Sequence, residues 1–500
     1  MYFSLKSLRP TRGFEAMTTT TARATSAPSQ PGFPVRAAGP LLGLICGSIV
    51  ALGGLNGLYF CLSLIGAALI LFDFRVGVVL LILLMPISGS QIFPHELLGI
   101  TGLNPLNLLL IATLGSYLLQ ALSDGTIRRF LPAPLLWLYV VPILVAGVNG
   151  SRHVGDMVPG FYIYDLINFN DSAGYLRDML VKPLLLVVFA LLVGAAVLRS
   201  KRPERFLIPT VISMWVMGLL VIVFVRLSGI ALADLDQETS RDFLTALGMH
   251  ANELGRMYAV AYAMLLFSWA GPKQYVVRIA LLASMLMVVA ALVLTFSRSA
   301  FAGVIIASGL YLLWRRNVRA LTFFGVLAVT GLLALPNAVY ERVTYGFGGG
   351  LNAITAGRLE GLWIPLLGDV LKSPIYGTGL GSTLWSEAMR TAGGLTVLGV
   401  THPHNAYLET LLDMGVVGLV LLCAYYARVW KGFGSLAQDE TLSPTLKGFY
   451  EGSAAGLLAF LIAAVVDGAL TPRPEQAFLW LAIGMMYGQM NRKVTAGAAV

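Results

Sequence analysis

Charge is what this chain has least of. Asp, Glu, Lys and Arg make up 12% of its 500 residues, about half the share usual in a soluble domain. So little charge excludes a set of water-coated domains, and the remainder agrees, with 57% hydrophobic residues and a mean hydropathy of +0.79. Cysteine is scarcer still. Cys46, Cys61 and Cys423 all fall inside apolar runs, which excludes a disulfide framework and a thiolate metal site. The five histidines and the carboxylates do not gather along the sequence at metal-ligand spacing, so neither a metal nor another cofactor is expected.

What the chain does have is apolar runs. About 20 residues cross ~30 Å of hydrocarbon, and runs of that order recur along nearly the whole length. The fold class expected is therefore an all-α polytopic membrane protein of about 12–14 transmembrane helices. They are placed near 40–56, 58–73, 76–90, 104–122, 131–148, 180–198, 206–230, 255–270, 277–296, 299–314, 319–336, 408–428, 450–467 and 476–490. The pairs at 40–73 and 277–314 have almost no connecting loop, so re-entrant pairs are the alternative there. Residues 1–38, rich in Thr, Ser, Ala and Pro, hold neither an apolar run nor a signal-peptide core and read as a disordered cytoplasmic tail.

Lys and Arg then test the orientation, because in short loops they collect on the cytoplasmic side. Arg75, Arg128 with Arg129, the cluster from Arg199 to Arg205, Lys273 with Arg278, Arg315 with Arg316 and Arg319, Arg428 with Lys431, and Arg492 with Lys493 share one side if both termini are cytoplasmic. Topology thus accounts for most of the formal +9, and no nucleic-acid partner is called for. The organisation expected is a transmembrane bundle over 39–336, a large extracytoplasmic loop over 337–407, C-terminal transmembrane helices over 408–490 and a short cytoplasmic tail from 491.

The most informative stretch is THPHNAYLETLLDM, residues 401–414, where that loop gives way to a membrane helix. Pro403 pushes His402 toward extended backbone, and Asn405 is a good N-cap, so a helix is expected to begin there. His404 then stands at a helix mouth, where unpaired N–H groups favour an anion. Three arginines point to the same face. Arg298 lies within a long apolar stretch, where a charge left at mid-membrane costs at least about 2.5–3.5 kcal/mol; a ligand or partner is one reading and snorkelling to the headgroups the other. Arg256 and Arg358 open likely helix starts, with Glu253 and Glu360 near enough to pair with them instead. A site with several arginines and a histidine suits a diphosphate, whose oxygens the guanidinium fork grips bidentately.

Glu409 and Asp413, spaced i and i+4 on one helix face, are candidates to orient His404 or bind sugar hydroxyls, or else to pair with arginines. Trp363, Trp385 and Tyr407 suit stacking on sugars, although an interfacial aromatic belt would contain the same residues.

SRSAF at 297–301, GRLEGLW at 357–363, SPIYGTGLGS at 373–382 and HPHNAYLETLLDMGVVGLV at 402–420 together resemble the O-antigen ligase and Wzy polymerase superfamily of bacterial envelope enzymes. The last is the most specific, a His-Asn pair and an acidic residue ahead of a Gly-interrupted membrane helix. The resemblance covers the chain from about residue 250 onward. It implies an inner-membrane glycosyltransferase that moves a glycan from undecaprenyl pyrophosphate to an acceptor hydroxyl at the periplasmic face, the acceptor being another glycan or lipid A core. Carried onto matching positions, it implies that Arg298 and Arg358 grip the diphosphate and that His404 is the general base, with His402 a weaker candidate. Arg256 joins the diphosphate group from its placement alone. The rival function is a secondary transporter or flippase, disfavoured because no internal repeat is evident and the polar candidates collect on one face.

Overall fold

The computed structural model describes residues 33–497, apart from 230–243, most of 317–336, 392–399 and isolated positions near 92, 98–103, 126–129, 164–165 and 345–347. The helix expected at 319–336 and the tail up to residue 32 lie outside the described residues. The protein is an all-α polytopic membrane protein. Among the described residues, eight helices are long and apolar enough to cross a membrane. That count is below the expected 12–14 partly because residues 39–72, expected as two helices, count as one, and because the apolar helix Phe74–Ile87 is shorter than a crossing.

Contacts divide the chain at residue 61. Helix α1 (Phe33–Phe72) runs across that division and, within the first unit, is interrupted at Gly54, whose φ of 56° and ψ of −134° break the helix. The Cys61 thiol donates to the Cys46 carbonyl at 3.7 Å, whereas a straight helix would separate two residues that far apart by roughly 22 Å. The chain therefore doubles back at Gly54, as the missing loop in the sequence suggested.

In the second unit come α2 (Phe74–Leu84), α3 (Pro105–Asp124), α4 (Ala133–Asp156), α5 (Ser172–Arg199), α6 (Leu207–Ser228), α7 (Ala251–Trp269), α8 (Tyr275–Val293) and α9 (Arg298–Arg315). Within the large loop the main helix is α10 (Ile364–Lys372), followed after the loop by α11 (Ala406–Ala437), α12 (Pro444–Ala463) and α13 (Ala477–Gly497). A two-residue antiparallel ribbon pairs Glu96 with Thr101.

Helix α7 is the axis of the bundle. It is buried almost all round, with α8, α9 and α12 packed against it. Gly452 lets α12 touch it backbone to backbone, since a Cβ there would stand 2.5 Å from the Ala263 carbonyl oxygen. That crossing brings the N-terminal end of α7 beside the C-terminal end of α12.

Helix α11 is broken at Gly415, where φ is 61° and ψ −168°. The turn after α10 fills the gap. Thr378 N–H and Gly379 N–H donate to the Leu412 and Asp413 carbonyls, while Val416 N–H and Val417 N–H donate to those of Pro374 and Ile375. Backbone groups freed by the break are thus satisfied by residues 374–379, which are locked onto α11.

Candidate active site

Asn405 caps α11 as its sequence position predicts, its side-chain oxygen accepting from Tyr407 N–H at 3.1 Å and Leu408 N–H at 3.0 Å. The residues before it are held from two directions. Trp363 Nε1 donates to the Pro403 carbonyl at 2.7 Å, and Ala406 N–H donates to the Ala464 carbonyl at 2.9 Å. Between these anchors His404 takes a φ of 50°, a left-handed conformation uncommon outside glycine and a form of strain that clusters at functional sites.

The partner of His404 is a residue that sequence reasoning missed. His404 Nδ1 lies 3.1 Å from Asp467 Oδ1, across the α11–α12 hairpin. Asp467 is only 6% exposed, and Gly468 N–H donates to the same oxygen at 2.9 Å. Burial works to raise this carboxyl, but the Arg256 guanidinium and His404 outweigh burial and hold it well below the usual carboxylate range. An ionised carboxylate only accepts, so Nδ1 carries the proton, and in the neutral imidazole Nε2 is left with its lone pair. The ring is part-exposed.

Arg256, 3% exposed, spans two carboxylates, with Nη1 2.7 Å from Asp467 Oδ2 and Nη2 3.2 Å from Glu475 Oε1. It was expected to grip a diphosphate. The structure instead encloses its fork between two acids, which makes it a brace for Asp467. The expected orienters of His404 are also placed elsewhere: Glu409 accepts from Arg473 Nη2 at 2.7 Å, and buried Asp413 accepts from Ser382 N–H at 3.0 Å and Ser382 Oγ at 2.6 Å. Glu409 thus takes up its arginine alternative, and Asp413 secures the inserted turn.

The 464–476 connection is itself sewn down. Tyr139 and Tyr426 hydroxyls both donate to the Leu470 carbonyl at 2.8 Å, and Gln476 Nε2 donates to Ala469 and Thr471 carbonyls. Arg358 reaches the same connection, donating from Nη1 to the Val466 carbonyl at 3.0 Å. Arg298 opens α9, whose Ser297 and Ala300 lie against Gly255, one residue before Arg256. All three arginines therefore belong to one end of the bundle. His402 stacks obliquely on His404, ring centres 4.2 Å apart; burial first, then His404 and Arg473, lowers its pKa well below the ordinary histidine value.

Of the aromatic candidates, Trp363 positions the loop, Tyr407 donates to the Leu461 carbonyl at 2.7 Å, and Trp385 is buried with its ring stacked on His153. The signal that sequence reading passed over was DGALTPRPE, residues 467–475. Three charges in a short connection between apolar helices are expensive unless they are used.

His402, His404 and Asp467 place ligand atoms within 4.8 Å of one another, a cluster that linear spacing concealed. An aspartate pair at Asp234 and Asp236, which the expectation of no metal motif did not reckon with, lies outside the described residues. At the cluster, Asp467 Oδ1 already accepts from His404 and Gly468, and Oδ2 faces the Arg256 cation. The donor set fits a hydrogen-bonded dyad better than a divalent ion.

Residues 282–423 match the family model described as O-Antigen ligase. Across these residues the chain is similar to an O-antigen ligase domain. No curated protein matches the chain. The domain takes in Arg298, Arg358, Trp363, His402, His404, Asn405, Glu409 and Asp413, whereas Arg256, Asp467, Arg473 and Glu475 lie outside it. The domain supports the O-antigen ligase and Wzy superfamily and a glycan-transferring ligase or polymerase in general, with a lipid-linked glycan as donor and a glycan acceptor. With the apolar helices it makes the chain a multi-pass membrane protein.

Proposed function

We propose that the protein is an inner-membrane glycosyltransferase that moves a glycan from undecaprenyl pyrophosphate to an acceptor hydroxyl at the periplasmic face, with both termini cytoplasmic and residues 337–407 periplasmic. The observation that carries the chemistry is the His404 Nδ1 to Asp467 Oδ1 hydrogen bond, which leaves Nε2 to accept a proton. As in a nucleophile–base–carboxylate triad, the carboxylate fixes the tautomer and stabilises the imidazolium that forms.

In this reading Nε2 takes the acceptor hydroxyl proton as the oxygen attacks the anomeric carbon. The bond from that carbon to phosphate breaks, and its electron pair leaves with the diphosphate. Attack opposite the leaving group inverts the anomeric centre. Arg358 and Arg298 take the growing charge through their planar forks; Arg256 acts at one remove by keeping Asp467 ionised.

The deciding experiment supplies purified protein in nanodiscs with one defined lipid-linked oligosaccharide and no second acceptor. Chain growth identifies a polymerase, and inertness relieved by lipid A core identifies a ligase. Absence of transfer under both conditions would sink the reading. His404→Ala is expected to bind donor yet lose about 10²–10⁴ in turnover. Cysteine labelling at exposed Gly349 from the periplasmic side checks orientation; labelling only after the inner membrane is breached overturns it.

A further inference from the structure

Helix α10 belongs to the segment read as a water-facing loop, yet its outward face is apolar. From Gly361 to Leu371 the exposed positions are Gly361, Ile364, Pro365, Leu367, Gly368 and Leu371, and none bears a polar side chain; the last residue of the helix, Lys372, is exposed too and pairs with Asp369 at 2.8 Å. Ile364, Leu367 and Leu371 repeat at i, i+3 and i+7, a single stripe along the helix. Leu371 is 76% exposed, and Tyr376, just beyond the helix end, 74%.

The opposite face is fully engaged. Leu362 and Leu366 are buried, and Asp369 accepts from Glu387 N–H and Ala388 N–H at 3.1 Å each. Packing thus fixes which side is left outward. An apolar stripe of this kind facing water is a liability that soluble surfaces avoid.

What covers it follows from continuity. Pro374 and Ile375 are hydrogen-bonded to Val416 and Val417 in the first half of α11, a helix apolar enough to cross a membrane. Val416, Val417 and Val420 are themselves exposed, as residues facing lipid are. The stripe on α10 therefore runs on into the lipid-facing side of α11. A helix with one apolar face, joined to a spanning helix at its upper part, has the character of an element lying in the interface plane.

We propose that the Ile364–Leu367–Leu371 stripe, together with Ile375 and Tyr376, docks into the hydrocarbon of the leaflet nearest the active-site cluster, so that α10 is an in-plane membrane anchor. The partner is the lipid bilayer. Arg358 and Trp363 immediately precede this helix, so its depth sets the height at which the Trp363 contact to Pro403 holds the histidine loop. The anchor is independent of which glycan the protein transfers.

Spin-label accessibility tests it. The three native cysteines are replaced by alanine, single cysteines are placed by Leu371→Cys, Tyr376→Cys and, as an aqueous reference, Glu387→Cys, and the labelled full chain is reconstituted in phosphatidylethanolamine–phosphatidylglycerol nanodiscs. The ratio of oxygen to nickel-chelate collision rates is expected above one at positions 371 and 376 and below one at 387. A ratio below one at both 371 and 376 would place the stripe in water and overturn the proposal. Exclusion of both probes would mean that protein covers it, either another segment of this chain or a second copy, and overturns it as well. Since each label sits at an exposed position, a variant that elutes as the parent does reports the native placement.

Discussion

A Cβ on Gly415 would stand 2.3 Å from the carbonyl carbon of Ile375. The loop domain and the helix break therefore occupy one another's space, and the conformation at Gly415, with positive φ and extended ψ, is one that essentially only glycine adopts. Gly415→Ala is expected to cost at least about 1–3 kcal/mol in backbone strain alone, before any clash with Ile375. Thermal unfolding in detergent checks it: a variant as stable as the parent would mean that the loop does not insert as described.

Asp467→Asn keeps the size of the side chain and removes its charge. Turnover should fall, by as much as about 10⁴-fold if the carboxylate governs the tautomer as it does in a Ser-His-Asp triad. Donor binding measured in the absence of acceptor should stay near that of the parent. Parental turnover would release Asp467 from its role.

Arg256 carries a different expectation, because its loss strands two buried acids. Arg256→Met should destabilise the fold by about 3–5 kcal/mol, read as a fall in melting temperature in detergent. A stable variant would show that Asp467 and Glu475 are accommodated without the guanidinium.

His402 supplies a pH dependence. Its folded-state pKa lies below the ordinary value through burial, then the proximity of His404 and Arg473, with Asp467 acting in the other direction. In the unfolded chain a histidine takes up its proton near pH 6.5, so between the two values the unfolded state binds more protons and stability rises with pH. Melting temperature should therefore fall as pH is lowered below about 6.5, and His402→Gln should flatten that decline. Asp467, whose folded carboxyl is depressed, contributes stability that is lost only at more acid pH, below the ordinary aspartate value of about 3.9. An unchanged slope in His402→Gln would assign the effect to another group.

Arg358→Lys and Arg298→Lys retain the charge and lose the fork. Both should raise the KM for lipid-linked donor, and their effect should be largest at limiting donor. Parental kinetics in both would remove the diphosphate clamp from the mechanism.

The helix at Asn405 was legible because capping is local: a residue type, a preceding proline and an apolar run decide it within a few positions. The doubling back at Gly54 was legible for a similar reason, the absence of any chain length for a loop. His404 could be singled out by where the loop met the membrane, but its carboxylate could not. Glu409 and Asp413 were nearer in sequence and correctly spaced for a helix face, yet the α7–α12 crossing at Gly452 delivers Asp467 from 63 residues away. Arg256 misled in the same manner, since a cation at a helix start looks available until the fold shows which acids surround it.

In the proposed reaction the dyad also ties activity to completed insertion. His404 precedes α11 and Asp467 follows α12, so base and carboxylate meet only once both helices stand side by side in the bilayer. A nascent chain that has emerged through residue 437 already owns the histidine, the arginines and the inserted turn, but has no group to set the imidazole tautomer. In the proposed reaction the last hairpin would therefore serve as an assembly checkpoint, with transfer possible only at the end of the chain's own biogenesis.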